Sequence, residues 1–552
     1  MPSPHASHKN APSVTIYNLP DYLPPVDEEL HSRMMKHYGE EHWNRMRRAL
    51  STSPSHSCLR VNTMKADTQS VLEEVTTYVN NHRKQSTCTE EKTARDGEQA
   101  SYPPSKPYLH PIPPLSSDTI IIPHASSFKP PPLFNHFSPV PNKLNPFIVV
   151  VDRLCGEAVL RGADVFVRGV WSASAGIASG SRVLLLMDLH RHSQRGCLYA
   201  DYQGEAICIG QGVALVPRAE LVTATHGLGI RVTHRMGPQA PPLNGFLPGR
   251  LFPQNLPSLL VGHVLAPLPG STVIDLCACP GGKATHLATL MRGEGVVVAC
   301  DRSRKKIKAL QALGERMGLL PCLCPLVLDT THPVLPPSLR DRRHLPSSHP
   351  VAVLAAAAEN TDGLPLVPGF YPETFDHVLL DPPCSALGLR PRFSLPVRGQ
   401  DLDAFVAFQR KFWWAAVFLL RVGGSMTYST CTLNPQENED MVRYALDTYS
   451  ILQLVPAEPR LGAPGGGKAL SDEERGKVQL FLPGGGGREG GWEEGEEGDL
   501  DVSGFFVAKF VKVASVFEGK DGEAKGTAWQ DERNDRDSGW KRRGPQGEEE
   551  EG

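Results

Sequence analysis

Cys384 and Cys431 are the residues whose surroundings first suggest chemistry. LLDPPCSALG, residues 379–388, ends an apolar run with a carboxylate (Asp381), two prolines and a thiol. A cysteine acting only as a small buried hydrophobe would sit inside such a run, not at its polar tip. GSMTYSTCTLNPQENED (424–440) repeats the arrangement, with Cys431 just beyond a second apolar run and just before a helix start. There Asn434 can serve as N-cap, Pro435 takes the first helical position, and Glu437 sits where a capping box wants it. A thiol near a helix N-terminus has its thiolate favoured. If the two runs are neighbouring strands, both thiols face one pocket.

A third segment supplies a ligand site. VIDLCACPGGKATHLATL (273–290) runs from a strand through the Gly281-Gly282 turn into a helix, and VVVACD ends the next strand at Asp301. Backbone N–H groups at such a turn are open to a ligand, and Asp301 can grip the hydroxyls of a ribose. The glycines do not follow G-x-G-x-x-G, so one ribose without pyrophosphate fits better than a dinucleotide: S-adenosyl-L-methionine is the expected cofactor. Asp329, ending PLVLD, could bond an adenine amine or cap the segment after it. With Asp275 and Asp381, four consecutive strands end in or near acids on one rim, where open α/β sheets bind ligands.

Two thiols, an acid and a methyl-donor site answer one chemical problem. Carbon-5 of cytosine is a poor nucleophile until a thiolate adds at carbon-6 while an acid protonates or bonds nitrogen-3. After methyl transfer the carbon-5 proton must leave so that the first thiolate can be eliminated. The scheme needs a nucleophile, an acid and a separate base, and Cys431, Asp381 and Cys384 can fill those roles. Methylation of an exocyclic base amine is the rival chemistry and needs no cysteine; a non-catalytic RNA-binding assembly factor is the rival from another class.

The elements that must position these groups follow from periodicity. From residue 269, TVIDL, VVVACD, LCPLVLD, FDHVLLD, GSMTYSTC and finally GFFVAKFVK alternate with helices from Lys283, from Arg302 and over 403–421. That alternation predicts a parallel sheet in a doubly wound α/β domain spanning 239–514. Residues 146–238 carry short β-like pieces (FIVVVDRL, EAVLRGADVFVRGV, SRVLLLMDL, AICIGQGVALV) parted by turns, as in a small β-barrel. Residues 1–82 read as a helical segment packing on the catalytic domain. Residues 83–145, rich in Ser, Thr, Pro and Lys, read as a low-complexity insertion unable to supply a core. Further disordered insertions are expected near 330–374 and 461–500, and a disordered charged tail over 515–552.

Composition bounds the reading. The 552 residues, 40% hydrophobic and 21% charged, suit a soluble globular protein of more than one domain. Apolar runs such as VAVLAAAA (351–358) are too short to cross a bilayer. MPSPHASHKNAPSV lacks the apolar core of a secretory signal, so a cytoplasmic location with 12 reduced cysteines is expected. No two cysteines are spaced C-x-x-C, which argues against a zinc ribbon or knuckle; no metal is expected. The net charge of −3 does not announce a nucleic-acid binder, although RMRR (45–48), RSRKKIK (302–308) and LRPRF (389–393) are basic.

CACPGGK, DPPCSALG and YSTCTLNPQENE resemble the signature segments of the Nop/Sun family of S-adenosylmethionine-dependent RNA (cytosine-5) methyltransferases. LFPQNLPSLLVGHVLAPLPG and GFFVAKFVK resemble flanking segments, and VVVDRLCGEAVLRGADVFVRGV through GIRV resembles a PUA domain, an RNA-binding barrel. The resemblance implies a Rossmann-like methyltransferase domain preceded by a small PUA β-barrel, as in the family member that methylates tRNA near its 3′ end. It implies that Cys277, Ala278, Cys279, Pro280, Gly281, Gly282 and Lys283 line the cofactor, with Asp301 on the ribose, Asp329 near the adenine, and Lys306 and Asp381 within reach. Lys283 and Asp381 would touch the target base, Cys431 would be the nucleophile, and Cys384 would help release product. The implied partner is RNA, above all tRNA, with ribosomal or messenger RNA as alternatives, and the implied state is a monomer. Ala386 stands where the family often has glycine. Phe412, Trp413 and Trp414 are expected in the core and His286 in packing; Arg60, in CLRVN, could reach RNA and is left unassigned.

Overall fold

The computed structural model describes residues 15–91, 106–127, 146–334, 369–484 and 501–517, except 18, 20, 21, 125, 239, 244, 333 and 396. Runs of Val, Ile and Leu that are apolar at every position form strands buried on both faces. Here they are β1 (Thr272–Asp275), β2 (Val296–Asp301), β3 (Leu323–Val327), β4 (Phe375–Leu380) and β5 (Leu420–Thr430), joined by β6 (Leu452–Val455) and β7 (Phe505–Lys512). Val273, Ile274, Val297, Val298, Val378 and Leu379 are fully buried. The sheet order is β3-β2-β1-β4-β5-β7-β6. The first five strands are parallel, and β7 runs antiparallel between β5 and β6. The order therefore reverses beside β1, between β1 and β4, which is the topological switch point of a doubly wound sheet.

Helix α1 (Leu256–Leu265) precedes β1, α2 (Gly282–Leu290) follows it, and α3 (Arg304–Met317) follows β2. Gly281 caps α2 at φ +116°, and a Cβ there would fall 2.5 Å from Leu310 Cδ1, so the turn requires glycine. Ser303 caps α3 by accepting from the Lys306 amide. The helix Leu402–Leu419 buries Phe412, Trp413 and Trp414, as its apolar spacing led us to expect.

Residues 147–235 form a second, separate sheet around its own core, which includes Ile148–Val151, Val183–Met187 and Ala206–Ile209. Two features depart from the expected run of β pieces. Arg153–Leu160 (RLCGEAVL) is a helix, because Asp152 caps it by accepting from the Cys155 amide at 2.7 Å. Thr15–Tyr17, from the N-terminal segment, pairs in parallel with Glu205–Ile207 of this sheet. Within the helices Glu28–Tyr38 and Glu40–Leu50 of that segment, Leu30, Met34, Trp43, Met46 and Leu50 pack against Leu387, Val397, Leu402 and Leu433 of the catalytic domain, whereas His56–Val61, expected to be helical, is a strand.

Two expected insertions contain ordered structure. Part of 83–145 lies outside the described residues, but Thr119–Pro123 is a strand pairing with His56–Val61, which pairs in turn with Leu251–Pro253. Ile120, Ile121 and Ile122 are fully buried, so this segment does supply core; three adjacent β-branched residues outweigh a polar, proline-rich average. Within 461–500, a capping box between Ser471 and Glu474 starts the helix Asp472–Lys477, and Gln479–Phe481 pairs with β7. Of the insertion near 330–374, residues 335–368 lie outside the described residues, as do 485–500 and 518–552. Among the described residues no helix is long and apolar enough to cross a membrane.

Ile121→Ala should cost about 2–5 kcal/mol of unfolding free energy, the range for emptying a fully buried aliphatic site. Denaturant unfolding with near-wild-type behaviour would show instead that the 119–123 strand is dispensable.

Candidate active site

The carboxyl ends of β1, β2 and β4 bring together the loop 277–282, Asp301 and Asp381. Asp275, the last residue of β1, is buried; burial, reinforced by the nearby Asp381 carboxylate, pushes its pKa up to about 7. It accepts the Cys277 amide at 3.1 Å, and the Ala278 amide donates to the Cys300 carbonyl of β2 at 2.8 Å, which fixes the loop. Asp301 is partly exposed and accepts from the Ser303 amide through one oxygen at 2.7 Å. Asp329 lies two residues past β3, exposed, with Oδ1 accepting from the Thr331 amide and hydroxyl at 3.0 and 2.6 Å: it closes its own turn. Lys306 is exposed on the first turn of α3, and its charge acts on the Cys279 thiol.

Cys277 and Cys279 are poor nucleophiles in this setting. Burial pushes the Cys279 thiol up to about 12, with Asp301 adding to it, and burial raises Cys277 as well. The rim suits S-adenosyl-L-methionine on physical grounds. The glycine turn offers bare backbone at the start of α2, Asp301 stands at the next strand's end, and a rim lined by carboxylates favours a sulfonium cation over a pyrophosphate.

Parallel pairing of β4 with β5, Leu380 opposite Tyr428, sets the two thiols side by side. Cys384 Sγ and Cys431 Sγ are 3.3 Å apart. The bond from Cys384 shifts Cys431 toward its thiolate; burial opposes this and the Lys283 ammonium assists it. The same bond, together with burial, raises Cys384 well above an ordinary thiol. The two thiols in contact are thus shifted in opposite directions, Cys431 toward its thiolate and Cys384 toward its protonated form.

Lys283, in the first turn of α2, reaches Asp381 Oδ2 at 2.7 Å and lies 5.4 Å from the ring centre of Phe505. Burial pulls its pKa down, but the Asp381 carboxylate outweighs that and holds the ammonium charged. Ser429 donates to the other Asp381 oxygen at 2.6 Å. Both oxygens of Asp381 are thus engaged by donors.

Glu437 differs from its expected capping role. Residues 435–437 make a single tight turn, and the α-helix begins only at Glu439. Fully buried Glu437 instead accepts from the Ser385 amide (3.0 Å) and hydroxyl, from Asn434 Nδ2 (3.0 Å) and from Gln409 Nε2 (2.8 Å). Gln409 also donates to the Pro383 carbonyl and accepts from the Tyr428 hydroxyl. This network clamps the Cys384 loop to the Cys431 loop, and long-range partners of this kind leave no local sequence signal. Ser429 did leave one, lying two residues before Cys431 on the strand. Ala386 adopts φ +53°, a left-handed conformation that glycine takes without strain, which accounts for the family's frequent glycine there. Arg60 is buried against α2, so it does not face RNA.

The sheet order and the groups at its switch point define a methyltransferase that draws its methyl group from S-adenosyl-L-methionine. Comparison with known proteins gives the family. Residues 262–342 and 348–483 match the family described as 16S rRNA methyltransferase RsmB/F. The chain is 32% identical over 575 residues to the rRNA (cytosine-C(5))-methyltransferase NOP2C of Arabidopsis thaliana, covering 87% of this chain and 90% of that one. It is 35% identical over 383 residues to the human tRNA (cytosine(72)-C(5))-methyltransferase NSUN6, covering 66% and 76%. The crystal structure of NSun6 from Pyrococcus horikoshii with SFG shares the fold, with a TM-score of 0.60 at 24% identity over 90% of this chain and all of that one. The chain belongs to the RsmB/F (Nop/Sun) family of RNA cytosine-C5 methyltransferases.

Asp275 generates a prediction. Its folded pKa lies above its unfolded value, so its favourable contribution is complete below the unfolded pKa and is lost as pH rises toward 7. Asp275→Asn, which removes the titration, should raise the melting temperature relative to wild type at pH 8, and the gain should shrink toward pH 5. A gain independent of pH would assign the effect to packing.

Proposed function

We propose that this enzyme methylates carbon-5 of a cytidine in the acceptor stem of tRNA, near the 3′ CCA end, through a covalent adduct on Cys431. The contact between Cys384 and Cys431 carries the chemical half of this reading. The substrate half rests on relatives: the human NSUN6 and a Pyrococcus horikoshii protein are both named tRNA (cytosine(72)-C(5))-methyltransferases. The barrel of residues 146–238 is read as a PUA domain that holds the acceptor end, and the free thiols of the described cysteines support a reducing compartment, the cytoplasm. A ribosomal RNA substrate is the second reading, favoured by the Arabidopsis relative.

In the proposed mechanism the Cys431 thiolate adds to carbon-6 of the cytosine ring. The Lys283–Asp381 pair, fixed at 2.7 Å and braced by Ser429, bonds the nitrogen edge of the base as carbon-5 becomes nucleophilic. S-adenosyl-L-methionine, when bound, supplies an electrophilic methyl group to carbon-5, with Asp301 oriented toward its ribose. Once Cys431 is bonded to carbon, it no longer carries the negative charge that held Cys384 protonated. Cys384 then ionises by giving its proton to solvent and takes the carbon-5 proton, and the Cys431–carbon-6 bond breaks to restore the aromatic ring and the thiolate. Gly281 and Gly282 keep side chains off the turn through which the cofactor approaches.

Cys384→Ala incubated with S-adenosylmethionine and tRNA should accumulate a protein–RNA adduct that survives denaturing electrophoresis, because addition proceeds and release stalls. Cys431→Ala should give neither adduct nor methylcytidine, with activity down at least about a thousandfold, as for loss of a catalytic nucleophile. Adduct formation with ribosomal RNA and not with tRNA would transfer the assignment to the second reading.

A further inference from the structure

The segment 106–127 does more than complete a small sheet. Just before its strand lies Asp118, buried, with Oδ1 accepting from His263 Nε2 at 3.1 Å and from the Thr119 hydroxyl at 2.8 Å, and Oδ2 accepting from His286 Nε2 at 2.9 Å. His263 belongs to α1 and His286 to α2, one turn beyond Gly282. The two imidazoles meet edge to face at 4.9 Å. On the same side of α2, Arg60 donates to the Gly282 carbonyl and to the Thr285 hydroxyl, and that hydroxyl donates to the Gly281 carbonyl at 2.7 Å.

Three such residues with converging ligand atoms could hold a divalent cation. Charge decides against it. Burial pushes the His286 imidazole down to about 4, so it is neutral, while the histidine hydrogen bonds keep the Asp118 carboxylate ionised. Arg60, buried in the same region and felt by both groups, already supplies one positive charge against one negative. A divalent cation would leave an uncompensated excess in a buried site. A metal-bound histidine also normally donates its other nitrogen to a partner, whereas buried His286 Nδ1 has none among the described residues and faces the backbone of Gly262, where a Cβ would come within 2.4 Å.

We propose that Asp118 is a positioning residue for the methyl donor: by gripping His286 from one side while Arg60 holds Gly282 and Thr285, it fixes the rotation of α2 and with it the backbone of the 277–282 loop. Asp118 touches no reacting atom. Its influence runs through α2 to the glycine turn, so its loss is felt in cofactor affinity and not in RNA affinity.

Calorimetric titration of Asp118→Ala with S-adenosylmethionine should show Kd weakened about tenfold or more, the worth of one buried hydrogen bond. KM for the cofactor should rise in parallel, while kcat at saturating cofactor and RNA affinity stay within about twofold of wild type. Gly262→Ala, which leaves Asp118 in place but displaces His286, should reproduce the split and serves if Asp118→Ala does not fold. Unchanged cofactor affinity in a folded variant would overturn the proposal. So would a parallel fall in kcat, RNA binding and cofactor binding, or stoichiometric zinc in the wild-type protein that is lost from Asp118→Ala.

Discussion

The contact of two sulfur atoms at 3.3 Å depends on the parallel pairing of β4 and β5 in one register. Cys384 and Cys431 lie just beyond the ends of these two strands, so a slip of one residue would displace one loop along the other by about 3.3 Å and part the thiols. Everything near the pair works to hold that register. Glu437 joins the two loops from beneath, Gln409 bonds to both Glu437 and Pro383, and the Tyr428 hydroxyl closes the network from inside β5. A buried carboxylate left without its donors would be costly, so the network persists only when it is complete. The two loops are therefore placed together or not at all.

Electrostatics divides the rim into two zones with opposite behaviour. Around β1 and β2, burial and neighbouring carboxylates keep Asp275, Cys277 and Cys279 toward their protonated forms. Around β4 and β5, a retained ammonium at Lys283 and the bond from Cys384 favour an anion on Cys431. One chain thus carries several cysteines within a single cleft, yet only one is driven toward a thiolate. Residue type alone does not select the nucleophile; the charge placed beside it does.

Much of the site was legible because its residues cluster in short segments with distinctive grammar. A glycine turn after an apolar run, acids at strand ends and thiols at strand tips are local patterns, and the sheet follows from alternation. What escaped depends on distance in the sequence. Thr119–Pro123 was hidden because composition averaged over a long proline-rich stretch obscures three consecutive isoleucines. Asp118 gave no signal, since its histidine partners lie far along the chain. Glu437 was read as a cap because local spacing allowed it, whereas tertiary donors claimed both oxygens. The helix Arg153–Leu160 was missed because its apolar residues also fit a strand, and only the Asp152 cap settles the matter.

The position of β7 in the sheet has a consequence for biosynthesis. Its residues, Phe505–Lys512, pair with Ser425–Thr430 of β5 on one side and with β6 on the other, and Phe505 lies beside the Lys283 ammonium. Until they emerge from the ribosome, the strand leading to Cys431 has one edge of unsatisfied amides and carbonyls, open to pairing with any other extended chain. Translation must run through nearly the whole described domain before that edge is sealed.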